Sequence, residues 1–116
     1  MTMPFELATA GRIVFGAGTV REVAPAAKSM GKRVLLVTGR STARAVSVTE
    51  DLDAEGMGYV RFSVTGEPTI QSAREGTDLA RSEGCDVVIS VGGGSAVDAG
   101  KAIAALIGAP LRTRPR

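Results

Sequence analysis

The stretch VVISVGGGSAVDAGKAIAALIG, residues 87–108, joins an apolar run to three glycines and then to a segment with helical periodicity. The run at residues 86–91 is typical of a strand that is buried on both faces of a parallel sheet. Ser95 predicts the N-cap of a helix that extends through Ile107. Three consecutive glycines are more than a turn needs. Because each glycine loses conformational entropy on folding, their presence indicates a further role. We therefore expect main-chain N–H groups at this strand end to hold a phosphate, assisted by the helix dipole.

Strands and helices alternate along the rest of the chain. The patterns predict four strands, at residues 12–16, 33–38, 59–64 and 86–91, and helices at residues 20–30, 42–55, 68–83 and 95–107. This order predicts an α/β fold, a Rossmann-like, open, doubly wound and mostly parallel sheet with flanking helices. Residues 1–109 are expected to form one domain, and residues 110–116 an irregular basic tail.

The charge distribution gives no support for a nucleic-acid surface. The net charge is +2, and three of the positive charges are Arg112, Arg114 and Arg116, so the remainder carries 2 − 3 = −1. No apolar run is long enough to cross a membrane, and the N-terminus lacks the pattern of a signal peptide. The sequence therefore predicts a cytoplasmic protein with neither nucleic-acid nor membrane partners.

Two residue counts exclude common kinds of catalytic site. The chain has no His, which excludes Ser-His-Asp and Cys-His arrangements and His-containing zinc sites within it. Cys85 is the single cysteine, so an intramolecular disulfide is excluded. Its place before an apolar run predicts a small, half-buried thiol rather than a nucleophile, which needs an activating group.

Two familiar phosphate-binding motifs do not match the glycine stretch. The P-loop pattern aligned on Gly100 and Lys101 requires Gly at 95 and Ser or Thr at 102, where the chain has Ser95 and Ala102. The dinucleotide pattern G-x-G-x-x-G fails at Val97. An NTPase is therefore not expected.

A longer pattern does match. Residues 92–101, GGGSAVDAGK, follow GGGSxxDxxK, and three further segments accompany it: RIVFGAGTVREV at 12–23, KRVLLVTGRS at 32–41 and EPTI at 67–70. Together they resemble the N-terminal, cofactor-binding part of the iron-containing (metal-dependent, group III) alcohol dehydrogenase family. Its superfamily includes glycerol dehydrogenase and dehydroquinate synthase.

The resemblance implies a site for NAD(P) at the glycine turn. Gly94 and Ser95 match the residues that hold the cofactor pyrophosphate, and Gly92 and Gly93 shape the loop. Asp98 and Lys101 complete the signature, and their i, i+3 spacing allows them to pair. Asp98 is equally explained as a first-turn acid that the helix dipole favours.

The resemblance also implies where the adenosine end lies. NAD-using members commonly have Asp at the position of Gly39, and the chain continues with Arg40 and Ser41, which can donate hydrogen bonds to a 2′-phosphate. This favours NADP over NAD. Glu67 replaces the usual Asn of the family, which weakens that preference, and Pro68 and Thr69 either approach the cofactor or simply begin a helix.

The family's divalent metal, Fe or Zn, is held by an Asp and three His from its second, helical domain, and this chain has no His. The resemblance implies the cofactor-binding portion of an enzyme that transfers hydride between an alcohol or aldehyde and nicotinamide, truncated and not catalytic alone. The alternatives are a non-catalytic nucleotide-binding or assembly module of the same ancestry, or a member of the glycerol dehydrogenase and dehydroquinate synthase branch. An uncovered interface would favour a homo-oligomer.

Overall fold

The fold is a five-stranded α/β sheet with helices on both faces. The computed structural model describes residues 2–9, 12–39, 42–92 and 94–108. Its elements in chain order are β1 Thr2–Thr9, β2 Arg12–Thr19, α1 Val20–Met30, β3 Arg33–Thr38, α2 Thr42–Ala54, β4 Gly58–Ser63, α3 Ile70–Glu83, β5 Val87–Val91 and α4 Gly94–Gly108. The strand order is β2-β1-β5-β3-β4. The predicted Rossmann-like α/β class is confirmed.

The centre of the sheet is parallel. Strand β3 pairs in parallel with β4 on one side and with β5 on the other, where Leu36 lies opposite Ile89. Strand β3 has five buried residues in succession, and all five residues of β5 are buried. These are the two apolar runs that the sequence pattern predicted as buried strands, and helices covering both faces explain why neither run alternates.

One strand was missed by the sequence prediction. Strand β1 pairs antiparallel with β2, which extends the predicted strand at 12–16 to Thr19, and antiparallel with β5, where Leu7 lies opposite Ile89. In residues 2–9, Met3, Phe5 and Leu7 alternate with polar or smaller residues, a pattern that the sequence prediction overlooked, and Pro4 interrupts it. The strand exists because it has a pairing partner on each side, which local patterns cannot show.

Two hydrophobic clusters lie on opposite faces of the sheet. On one face, α1 and α2 cover alternate residues of β3 and β5, including Val34, Leu36 and Ile89. On the other face, α3 and α4 cover the intervening residues, including Leu35 and Val37. The alternation along each strand therefore assigns each helix pair to its own face.

The ends of helices α3 and α4 test two predicted boundaries. Thr69 is the N-cap of α3, so the helix begins at Ile70 rather than at the predicted residue 68, and Gly84 follows its predicted end at residue 83 in the left-handed conformation, at φ 71°. Helix α4 begins at Gly94, so Ser95 is its second residue and not its N-cap. The observed boundary therefore lies one residue before the predicted one, a difference that is common at helix ends. No helix in the described part of the chain is long and apolar enough to span a membrane.

Candidate functional site

The glycine turn lies where neighbouring parallel strands send their helices to opposite faces of the sheet. Strand β3 leads to α2 on one face, and its neighbour β5 leads to α4 on the other. Connections that diverge in this way leave a crevice outside the carboxyl ends of the two strands, and α/β proteins bind ligands in such crevices. Gly39 follows β3 directly and Gly92 follows β5 directly.

The two turns contact each other through backbone atoms. Gly92 has φ 138°, and a Cβ at this residue would lie 3.3 Å from the Gly39 nitrogen and 3.5 Å from Ala96 Cβ. Glycine at 92 is therefore a requirement of the fold, both for its dihedral and for the close approach of Gly39. Gly39 is different, because among the described residues a Cβ there would meet only Ala96 Cβ, at the ordinary distance of 4.0 Å.

Gly94 has no comparable structural reason to be glycine. It is exposed, it is not among the positive-φ glycines of the described residues, and a Cβ there would have no neighbour within 4 Å among those residues. Open space therefore lies beside the first turn of α4, where main-chain N–H groups have no partner within the helix. An anion can approach these groups closely, and the helix dipole favours it. Ser95, in the same turn, is half-buried.

A second feature brings three predicted site residues together. An open groove of about 440 Å³ runs between α3 and α4, and its walls include Pro68, Thr69 and Asp98. The remaining walls are mostly apolar and include Ile70, which is 75% exposed, and Leu106, which is 39% exposed. The groove can hold an apolar or aromatic group, with one carboxylate available at its edge.

Thr69 has a definite structural role. Its hydroxyl oxygen accepts a hydrogen bond from the Ser72 main-chain N–H at 3.0 Å, and its own N–H donates to Ser72 Oγ at 2.8 Å. This pair of hydrogen bonds is a capping box, and it accounts for a threonine at position 69 by its role in helix initiation. Helix initiation is one of the two interpretations that the sequence left open.

The other predicted site residues lie apart from the groove or outside the description. Glu67 and Lys101 are exposed and do not line it. Arg40, Ser41 and Gly93 lie outside the described residues. The pairing of Asp98 with Lys101 stays a prediction.

The described residues provide no donor set for a metal ion. Within the described ranges, no group of three or more His, Cys, Asp or Glu side chains could hold a metal ion, and the whole chain lacks His. These residues do not fit the family's metal, so no metal-dependent step is assigned to them.

Cys85 is more buried than the half-buried thiol predicted. Its exposed fraction is 7%, and burial raises the pKa of the Cys85 thiol, an effect that the nearby Arg33 guanidinium opposes. A thiol that stays protonated is a poor nucleophile. The prediction that Cys85 is structural is consistent with this.

Sequence reasoning overlooked one contact near the site, between Ser90 of β5 and Gly100 of α4. A Cβ at Gly100 would overlap Ser90 Oγ and lie 3.1 Å from Ser90 Cβ. Two signals in the sequence could have drawn attention to this contact: a serine within an apolar strand and a glycine within a helix. Neither signal predicts that these two residues contact each other.

Comparison with known proteins gives one consistent result. The family of iron-containing alcohol dehydrogenases matches residues 10–115. The NAD-dependent methanol dehydrogenase of Bacillus methanolicus is 35% identical over 95 residues, which are 78% of this chain and 25% of that protein. The sulfoacetaldehyde reductase of Bilophila wadsworthia is 34% identical over 110 residues, 90% of this chain and 28% of that protein.

A third relative, the NADH-dependent butanol dehydrogenase B of Clostridium acetobutylicum, is 32% identical over 108 residues, 87% of this chain and 27% of that protein. The chain thus spans about a quarter of the length of these relatives. No solved structure matches it. With a family match over nearly its whole length, the chain belongs to the iron-containing alcohol dehydrogenase family.

Proposed function

We propose that this chain is the cofactor-binding portion of an NAD(P)-linked, metal-dependent alcohol dehydrogenase, with residues 1–109 as its dinucleotide-binding domain. The observation that carries the proposal is the glycine turn at the crevice between β3 and β5. There Gly92 is required by the fold, whereas Gly94 leaves open space beside the N-terminus of a helix. Relatives named as NAD- and NADH-dependent support a dinucleotide as the ligand.

In this proposal the pyrophosphate is bound by main-chain N–H groups in the turn that contains Gly94 and Ser95. Gly92 shapes the turn, and Gly93 is assigned to the same loop on the sequence motif. Asp98 is expected to face the part of the cofactor that extends toward the groove, with Pro68 and Thr69 opposite. The nicotinamide ring supplies hydride transfer when the cofactor is bound. These residues bind and orient, and none of them polarises a substrate oxygen, so turnover is expected to need residues outside this chain.

The adenosine end is proposed to lie over Gly39, with a preference for NADP over NAD. Glycine at 39 carries no carboxylate that would repel a 2′-phosphate, and Arg40 and Ser41 follow it as donors. Replacing Gly39 by Asp is sterically allowed, because a Cβ there has an ordinary 4.0 Å contact. We expect Gly39→Asp to shift the ratio of NAD to NADP affinity toward NAD by about tenfold or more, from charge repulsion alone. Titration calorimetry of both cofactors measures that ratio, and an unchanged ratio would contradict the placement of the adenosine end.

A glycine substitution tests the whole proposal. Gly94→Val should leave the thermal midpoint within about 2 °C of the parent chain, because its neighbourhood is open. It should weaken NAD(H), NADP(H) and ADP-ribose binding by at least about tenfold, because the side chain occupies the approach to the N–H groups. The control is Ala54→Val, which adds bulk at an exposed helix end remote from the turn. A folded parent chain that binds none of these ligands would refute the proposal.

A second candidate function, a non-catalytic assembly module, is favoured by the apolar groove between α3 and α4. Ile70 and Leu106 are large apolar side chains exposed there, and exposed apolar surface promotes association. Sedimentation of the parent chain and of the Ile70→Glu variant measures self-association. A concentration-dependent dimer that the substitution abolishes would support a homo-oligomer. A cytoplasmic location and membership of the glycerol dehydrogenase or dehydroquinate synthase branch stay predictions.

A further inference from the structure

Ser90 is a polar residue at the centre of the sheet. Its side chain is fully buried, and its Oγ has no hydrogen-bond partner among the described residues. It lies opposite Val37 of β3 in the parallel register, within a strand whose other members are apolar. A buried hydroxyl that forms no hydrogen bond is unfavourable, so alanine would suit the strand better on local grounds. Interactions within β5 therefore do not explain why position 90 is a serine.

Gly100 of α4 lies against this hydroxyl. A Cβ at Gly100 would overlap Ser90 Oγ, and it would lie 3.1 Å from Ser90 Cβ and 3.7 Å from Val88 Cγ1. Gly100 is not among the positive-φ glycines of the described residues, so its dihedrals do not require glycine. Glycine is unfavourable inside a helix, and here its one structural reason is the close approach of the helix to the sheet. The face that α4 turns to the sheet also includes the buried small residues Ala96, Ala99 and Ala104.

We propose that Ser90 and Gly100 are positioning residues for the glycine turn: their contact sets how closely α4 approaches β5, and so where the first turn of α4 presents its N–H groups. Gly94 lies six residues before Gly100, which is about 9 Å along a rigid helix. Any displacement of the helix at Gly100 is therefore carried to the turn, which Gly92 ties to the end of β5. The role of this contact in cofactor binding rests on the proposed function.

Gly100→Ala tests the contact directly. Rotating the Ser90 hydroxyl away still leaves its Cβ 3.1 Å from the new methyl group, so the helix has to move by a few tenths of an ångström. Shifts of that size weaken hydrogen bonds that depend on the N–H position. We expect an increase of about fivefold in the dissociation constant of ADP-ribose, which carries the pyrophosphate, and less than about twofold for adenosine, which lacks it.

A double variant that moves the methyl-sized side chain from the strand to the helix distinguishes a positioning role from a nonspecific loss of stability. In the double variant Ser90→Gly/Gly100→Ala, both Ser90 side-chain atoms that crowd position 100 are gone, and the nearest remaining contact is Val88 Cγ1 at 3.7 Å. This variant should recover the parent affinity for ADP-ribose to within about twofold, although it has the same alanine in α4.

Amide chemical shifts in the ligand-free, full 116-residue chain provide a readout that does not depend on binding. The N–H signals of Gly92, Gly94 and Ser95 should move in Gly100→Ala and return in the double variant. If they do not move in a folded Gly100→Ala chain, or if the double variant does not restore them, the positioning role is refuted whatever the affinities. If they move and return while the parent chain binds no dinucleotide, the positioning role stands and the proposed cofactor function fails.

Discussion

Asp86 connects the start of β5 to the start of β3 through a single carboxylate. Its Oδ1 accepts a hydrogen bond from the Lys32 main-chain N–H at 2.9 Å and from the Arg33 main-chain N–H at 3.0 Å. Its Oδ2 accepts a longer one from Lys32 at 3.1 Å. The carboxylate lies so close to Gly31 that a Cβ there would be 2.6 Å from Oδ1. Replacing Asp86 therefore removes the acceptor for two main-chain donors at the N-terminal end of β3.

The expected loss is about 2 kcal/mol for Asp86→Ala. A hydrogen bond to a charged group contributes about 1.5–3 kcal/mol, and since Asp86 is exposed we take about 1 kcal/mol for each of the two donors. In a chain of this size, 2 kcal/mol corresponds to a fall of about 8 °C in the thermal midpoint. Asp86→Asn keeps one carboxamide oxygen, which can accept from both donors as Oδ1 does, so we expect it to lose about 0.5–1 kcal/mol.

Urea and thermal unfolding followed by circular dichroism measure both variants against the parent chain. Glu83→Gln is the matched control, because Glu83 forms an exposed salt bridge with Arg33 at 3.1 Å, with both side chains more than a third exposed. Such pairs contribute little, about 0–1 kcal/mol. An Asp86→Ala loss below about 0.5 kcal/mol would refute the reasoning that these hydrogen bonds hold the strand end. An Asn variant as unstable as the Ala variant would show that charge rather than acceptor geometry is decisive.

Two further predictions concern helix initiation and the buried thiol. Thr69→Ala removes the acceptor of the Ser72 N–H and should cost about 1 kcal/mol in urea unfolding, whereas Thr69→Ser should cost less than half of that. Alkylation of Cys85 at pH 8 should be at least about tenfold slower in the folded chain than in urea, because burial raises its pKa. Because the folded pKa lies above the unfolded one, the stability that Cys85 contributes is present below about pH 8.5 and is lost as the pH rises through the folded pKa. Unfolding free energies for the parent chain and Cys85→Ala should therefore converge at high pH, and parallel curves would contradict this sign.

Much of the fold could be predicted from local sequence patterns. The apolar runs of β3 and β5 indicated buried strands, and the predicted end of α3 at residue 83 is correct. The alternation of elements indicated a Rossmann-like sheet. The signature at residues 92–101 indicated the family, which the match over residues 10–115 then showed. These properties are local, because periodicity and capping depend on residues within a few positions of each other.

The candidate site was only partly predictable. The motif identified the glycines but could not distinguish their roles. In the structure, position 92 requires glycine because of its dihedral angle and its contact with Gly39, whereas Gly94 faces open space. It also brings Pro68, Thr69 and Asp98 to one groove, which no spacing along the chain implies.

Sequence patterns indicated the four helices and strands β2 to β5, although not strand β1. They also indicated that β3 and β5 are buried on both faces and which family the chain resembles. The tertiary structure decided that β1 lies beside β5, that the turns at Gly39 and Gly92 meet, and that Ser90 lies beneath Gly100. The reason is physical. Each of these contacts joins residues far apart in the chain, and their partners are selected by packing and hydrogen bonding across the whole sheet, which no local pattern records.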